Sequence, residues 1–256
     1  MTLTDPQRAR AANPAFPRAS TYDAAFQIET MMGPNVLWLA EWASQAVPFA
    51  PGQRVLDLGC GKAASSIFLA KEFGASIWAS DLWIPPSENL TRIEAAGLAD
   101  RVVPVSAEAH ALPFAEGFFD VVVSFDAYHY FGTDDLYIGY LARFLRPGGL
   151  ICVISPGVAE ERVDGPPDWL KPYWDWQFCS FHSPDWWRRH WAKTGLVEVL
   201  SVDWLEDGWR HWAEWDALCA EVGAGHDPAG GAREAEMLRR DAGRTLGFFR
   251  LVARKV

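Results

Sequence analysis

Positive charge is in short supply in this chain. Lysines and arginines number 23 against 33 aspartates and glutamates in 256 residues, a formal net charge of −10. Phosphate-backbone binding needs clustered cations, so an acidic chain without a Lys/Arg block argues against nucleic acid and anionic lipid as partners. Apolar runs are interrupted before they reach 18 residues, which argues against a membrane-spanning helix. The first 20 residues lack the apolar core of a secretory signal, and a cytoplasmic location is expected. Only four cysteines occur, Cys60, Cys152, Cys179 and Cys219, with no CxxC pair and no zinc-like Cys/His spacing. Reduced thiols and no required metal follow. Repeats and low-complexity linkers are absent too, so a second autonomous domain is not expected, and the oligomeric state is left open.

What is present in excess is tryptophan: 14 residues, ten of them between Trp169 and Trp215. Half of the chain is apolar and 22% is charged, the profile of an ordinary globular protein with an ample core. Residues 1–20 read as a mobile arm and 21–50 as N-terminal helices, with a helix from about Tyr22 to Met32. From residue 51 to 155, short apolar runs alternate with helical patterns. Val55–Leu58 turns at Gly59-Cys60-Gly61 into a helix that Gly74 ends; strand-like Ser76–Ser80 and a helix around Glu88–Ala96, ended by Gly97, follow, then strand-like Arg101–Val105, Val121–Phe125 and Leu150–Ile154. A helix is expected to start at Thr133, with Asp134 and Asp135 in its first turn. This alternation predicts a doubly wound α/β fold with a mostly parallel sheet. Residues 156–243 carry a Trp-rich stretch, a helix that opens at Ser183-Pro184-Asp185 and ends at Gly195, strand-like Val197–Val202, and a helical segment over 204–243. Residues 244–256 close the chain as a last strand.

A glycine turn between the first strand and the first helix lets a ligand approach the backbone closely. Gly59 and Gly61 supply it here, and Asp81, at the end of the second strand, stands where a carboxylate accepts the hydroxyls of a ribose. Gly-Cys-Gly-Lys-Ala-Ala also satisfies the GxGxxG/A pattern of dinucleotide-binding proteins. The Tyr-x-x-x-Lys pair of short-chain dehydrogenases is absent, however, and there is no room for a separate catalytic domain.

Val-Leu-Asp-Leu-Gly-Cys-Gly (55–61) together with Trp-Ala-Ser-Asp-Leu-Trp (78–83) resembles the class I S-adenosylmethionine-dependent methyltransferases. Glu108 to Phe114 with Phe119 to Ser124, and the turn Arg146-Pro147-Gly148-Gly149, resemble that family's adenine loop, fourth strand and the approach to its fifth. The resemblance implies a seven-stranded Rossmann-like sheet and S-adenosylmethionine as cofactor, with S-adenosylhomocysteine as product. It places Asp57, Gly59, Cys60 and Gly61 around the methionine portion and Asp81 on the ribose. Leu82 or Trp83 would pack on the adenine, Glu108 and Ala109 would meet its edge, and Phe125 would close the site from the fourth strand. A lid near the N-terminus would add Tyr22 and Asn35. Two positions depart from the family pattern: Ala63 stands at the usual third glycine, and Glu108 replaces the usual Asp.

In open parallel sheets the ligand lies off the carboxyl ends of the strands. After the fourth strand come Asp126, Tyr128, His129 and Tyr130, where His129 or Tyr128 could act as a base and Asp126 could edge the site. The Trp-rich segments are expected to form an aromatic helical cap, with Tyr130, Trp174, Trp176, His182 and Trp209 against a small organic acceptor that is aromatic or amine-bearing. Two other readings of the same fold are a lipid modifier of the cyclopropane-synthase kind and a cofactor-binding protein without methyl transfer.

Overall fold

The computed structural model describes residues 2–256. Seven strands form one sheet, β1 (Arg54–Leu58), β2 (Ser76–Asp81), β3 (Val102–Ser106), β4 (Phe119–Phe125), β5 (Leu145–Val158), β6 (Val197–Trp204) and β7 (Leu246–Lys255), in the order β3-β2-β1-β4-β5-β7-β6. The first five run parallel, and β7 inserts antiparallel between β5 and β6. The order reverses between β1 and β4, which opens a crevice at the carboxyl ends of those strands.

Strand alternation divides the core in two. Val55, Val121 and Val123 face a layer that includes α3 (Val36–Ser44), α4 (Ala64–Phe73), α8 (Gly208–Glu221) and α9 (Pro228–Asp241). Leu56, Leu58 and Val122 face α6 (Tyr137–Ala142) and α7 (Pro184–Ala192) on the other side. The remaining helices are α1 (Asp5–Ala11), α2 (Ala24–Glu29) and α5 (Pro86–Ala95). Local chemistry explains the helix ends. Ser183 caps α7 by accepting from Trp186 N at 3.2 Å with Pro184 in the first turn, and Gly74 ends α4 at φ 69°.

Three expectations differ from the structure. Residues 2–20 are docked: α1 lies against α8, and Leu3, Ala11, Phe16 and Ala19 are buried. The helix expected from Thr133 begins only at Tyr137, because Asp134 and Asp135 belong to the preceding turn. Residues 204–243 divide into α8 and α9 around Gly223 and Gly225, both at positive φ. Among the described residues, no helix is long and apolar enough to cross a membrane.

Candidate active site

A cavity of about 340 Å³ fills the crevice, within the size range of small-ligand pockets. Its floor is the β1–α4 turn, its sides are the segments after β2, β3 and β4, and its roof is the chain from Gln27 to Leu37 with Trp215 of α8. The turn tolerates only glycine at two points. A Cβ on Gly59, at φ 75°, would lie 2.4 Å from Ala127 Cβ, and one on Gly61, at φ 53°, would lie 2.7 Å from Met32 Sδ. Ala63 holds φ 62°, so the backbone keeps a glycine-like conformation where the third glycine is missing.

Asp81 fastens this turn to the next one. Its Oδ2 accepts from Gly61 N at 2.8 Å, and its Oδ1 accepts from Trp83 N at 2.8 Å and Ile84 N at 2.9 Å. Each carboxylate oxygen offers about two lone-pair sites, so Oδ2 retains one for a ligand in the cavity that Asp81 lines. The N–H groups of Gly59 and Cys60 are also engaged, both on Ser80 O at 2.8 and 3.0 Å. A pyrophosphate requires free amides at this turn. With three consecutive donors committed within the protein, the loop suits a nucleoside without a phosphate.

Asp57 does not line the cavity. Alternation along β1 turns it, with Val55, under α4, where Oδ2 accepts from Ser65 Oγ and Ser66 Oγ, each at 2.6 Å, and Oδ1 has no partner. Complete burial pushes its carboxyl up to about 6 against the two hydroxyl bonds, and the nearby Asp81 adds a smaller push. It holds the first turn of α4 behind the loop and reaches a ligand only through it.

Leu82 and Trp83 project from the mouth, 58% and 70% exposed, and the Trp83 ring stands 6.1 Å from that of Tyr130. Glu108 and Ala109 line the opposite edge. Glu108 accepts from His110 N and pairs with its Nδ1, both at 2.8 Å, and this bonding holds its carboxyl below the usual range. Cys60, Phe125, Asn35 and Tyr130 also reach the cavity. Asn35 caps α3 through Leu37 N and donates to Gln27 Oε1 at 2.8 Å. Tyr22 lies elsewhere, its hydroxyl on Glu72 Oε1 at 3.0 Å.

After β4 the chain turns sharply through Asp126, at φ 55°, into a short 3₁₀ turn, Tyr128–Tyr130. Asp126 and Tyr130 face the cavity, whereas Tyr128 and His129 point into the protein. Tyr128 packs against Trp187 and Trp191 with its hydroxyl unpartnered, and burial drives its acidity far from the usable range. The His129 ring meets Ser155 Oγ at 2.8 Å, and burial lowers it to about 3, which leaves it neutral and weakly basic. Neither side chain is positioned to touch a substrate.

The tryptophans scatter rather than form one cap. Trp187 and Trp191 belong to the α7 core, His182 stacks on Trp186 at 3.7 Å, and Trp176 is 79% exposed at the surface. Trp174 packs on Phe178, and Trp209 lies against Gly243. None of Trp174, Trp176, His182 and Trp209 lines the cavity, whereas Trp215 does. Lys62, Met31, Phe131 and Gln27 were further lining residues that the sequence reading missed. Each carried a local signal: Lys62 follows the glycine turn, Phe131 follows Tyr130, and Gln27 and Met31 lie in the helix expected from Tyr22 to Met32. Among the described residues, no group of three His, Cys, Asp or Glu side chains is arranged to hold a metal.

The fold and the glycine-turn segment are shared with known proteins. The family described as a methyltransferase domain matches residues 55–149. The chain is 28% identical to 2-methyl-6-phytyl-1,4-hydroquinone methyltransferase of Synechocystis sp. over 72% of its own length and 60% of the relative's. It is 37% identical to demethylmenaquinone methyltransferase of Mycolicibacterium paratuberculosis over 42% of its length and 44% of the relative's. The chain thus spans about half the length of these relatives. Phosphoethanolamine N-methyltransferase 2 of Haemonchus contortus, solved with S-adenosyl-L-methionine, superimposes with a TM-score of 0.72 at 19% identity, covering 99% of this chain and 60% of that one.

Proposed function

This chain carries a class I methyltransferase domain in the corresponding fold, and on that premise we propose that it transfers a methyl group from S-adenosylmethionine to a small organic acceptor that is aromatic or amine-bearing. The observation that carries the reading is the double engagement of Asp81: it organises the glycine turn and keeps an acceptor site toward the cavity, while the turn's amides are closed to a pyrophosphate.

When bound, the cofactor supplies an electrophilic methyl group on a sulfonium centre. Asp81 would hold the ribose hydroxyls, Leu82 and Trp83 would lie on the adenine face, and Glu108 and Ala109 would meet its edge; Gly59, Cys60 and Gly61 would admit the methionine portion, with Asp57 positioning them from behind. The Gln27–Leu37 roof excludes water, so alignment and desolvation rather than proton transfer by His129 or Tyr128 are what the protein contributes.

Calorimetric titration with S-adenosylhomocysteine, with NAD in a parallel cell, tests this assignment. Micromolar binding of the first and none of the second is the expected result. Binding of NAD alone, or of neither, would sink it.

A further inference from the structure

Three carboxylates line the cavity, and two of them are engaged: Asp81 by three backbone amides and Glu108 by His110. Asp126 is different. Among the described residues, no donor reaches its carboxylate, which nests against Gly33 so closely that a Cβ there would lie 2.5 Å from Oδ2. Two more acids, Asp216 of α8 and Glu234 of α9, lie close enough to raise its carboxyl or each other's. Asp216 is 1% exposed, and its Oδ2 has no partner. The one lysine on the cavity wall, Lys62, is tied to Glu29 O at 2.8 Å and does not offset them. Rings adjoin the acid: Tyr130 and Phe131 follow it in the chain, and Trp215 neighbours Asp216 with its Nε1 bonded to Gly33 O at 3.1 Å.

A half-buried carboxyl with no donor, beside aromatic faces and with two more acids near it, is the chemistry that recognises an ammonium group. A neutral phenol or alcohol would do nothing to stabilise the ionised form of these acids, and an anion would be repelled. We propose that Asp126, backed by Asp216 and Glu234, is the acceptor subsite and that the acceptor is an amine bound as its ammonium ion: the ammonium gives one proton to the Asp126 carboxylate, and the freed nitrogen lone pair takes the methyl group as the methyl–sulfur bond breaks. This inference rests on the methyl-transfer reading and narrows it to one substrate class. Burial and Glu234 push the Asp126 carboxyl well above its ordinary range, and an adjacent cation would relieve that cost.

The test titrates the protein saturated with S-adenosylhomocysteine with matched pairs of probes, 2-phenylethylammonium against 2-phenylethanol and choline against 3,3-dimethylbutan-1-ol. The wild type is expected to bind the cation of at least one pair about tenfold more tightly than its neutral isostere, the scale of one charge-assisted contact. Asp126→Asn keeps the shape and should abolish the preference while changing S-adenosylhomocysteine affinity by less than about threefold. Glu234→Gln, which does not touch the cavity, should weaken the preference in part. Equal affinity for cation and isostere in the wild type overturns the proposal. So does an Asp126→Asn protein that loses S-adenosylhomocysteine but keeps the preference, because Asp126 would then serve the donor's own amino group. Failure of the wild type to bind S-adenosylhomocysteine at all is a separate outcome, which refutes the cofactor reading and the subsite with it.

Discussion

Asp81 and Asp57 sit 24 positions apart and do different work with the same functional group. Asp81→Ala removes a ribose acceptor and strands the N–H groups of Gly61, Trp83 and Ile84. Calorimetry should find S-adenosylhomocysteine affinity lowered about tenfold or more, since bonds to a charged acceptor contribute about 1.5–3 kcal/mol; unchanged affinity would remove Asp81 from the site. Asp57 leaves a pH signature instead. Its folded value is raised from 3.8 to about 6, so between those values the native state binds more protons than the unfolded chain, and stability falls as pH rises until it levels above 6. The ionised form costs the fold about 3 kcal/mol, at 1.36 kcal/mol per pKa unit. Asp57→Asn keeps an acceptor for Ser65 and Ser66 without the ionisation. Denaturant titrations of both proteins at pH 4 to 7 should find the variant gaining on the wild type as pH rises, and parallel curves would refute the raised value. The carboxylate of Asp81 was legible in the sequence because strand end and glycine turn meet at fixed spacing. The split between Asp126 and its neighbours was not, because a left-handed residue followed by a 3₁₀ turn has no period by which to sort the side chains of residues 126–130.

Elements whose ends are written in local chemistry were the legible ones. The Ser183-Pro184-Asp185 signature places the start of α7 at Pro184, and alternation places β1, β2 and β4. What α7 packs against was not written locally: Trp187 and Trp191 meet Tyr128, from a segment about 60 residues earlier, although core packing was the expected use of their shared apolar face. The structure makes α7 a wall of the core opposite the cavity's roof. Ser183→Ala therefore tests stability without touching the site. Loss of an N-cap costs about 1 kcal/mol, and thermal unfolding should shift down by about 2–4 °C in a chain of this size. S-adenosylhomocysteine affinity should stay the same. A drop in affinity with no change in melting temperature would mean that α7 contacts the ligand after all.

At the scale of the whole molecule, the N-terminal segment links distant layers. Phe16 stacks on Trp38 with centroids 6.0 Å apart and meets His211 of α8 edge-on. Arg18 N and Ala19 N satisfy the buried carboxylate of Glu41 at 3.2 and 2.8 Å, and Arg10 pairs with Glu221. Ala19 O and Tyr22 O in turn receive Gln27 Nε2, and Gln27 is part of the cavity roof. Composition alone suggested a loose arm because Ala, Pro and Arg carry no periodic signal, and the partners that dock it lie up to about 200 positions away. A protein starting at Thr21 would expose the Phe16 site and leave Glu41 without either amide. Each loss is on the order of 1–3 kcal/mol, so the melting temperature should fall by about 5 °C or more. Ligand affinity should fall with it, because the roof loses one of the bonds that orient Gln27. Limited trypsin digestion of the intact chain checks the docking directly. Cleavage at Arg8, Arg10 and Arg18 should proceed no faster than opening of the folded protein, whereas an undocked arm would be shed within minutes while the rest stays intact.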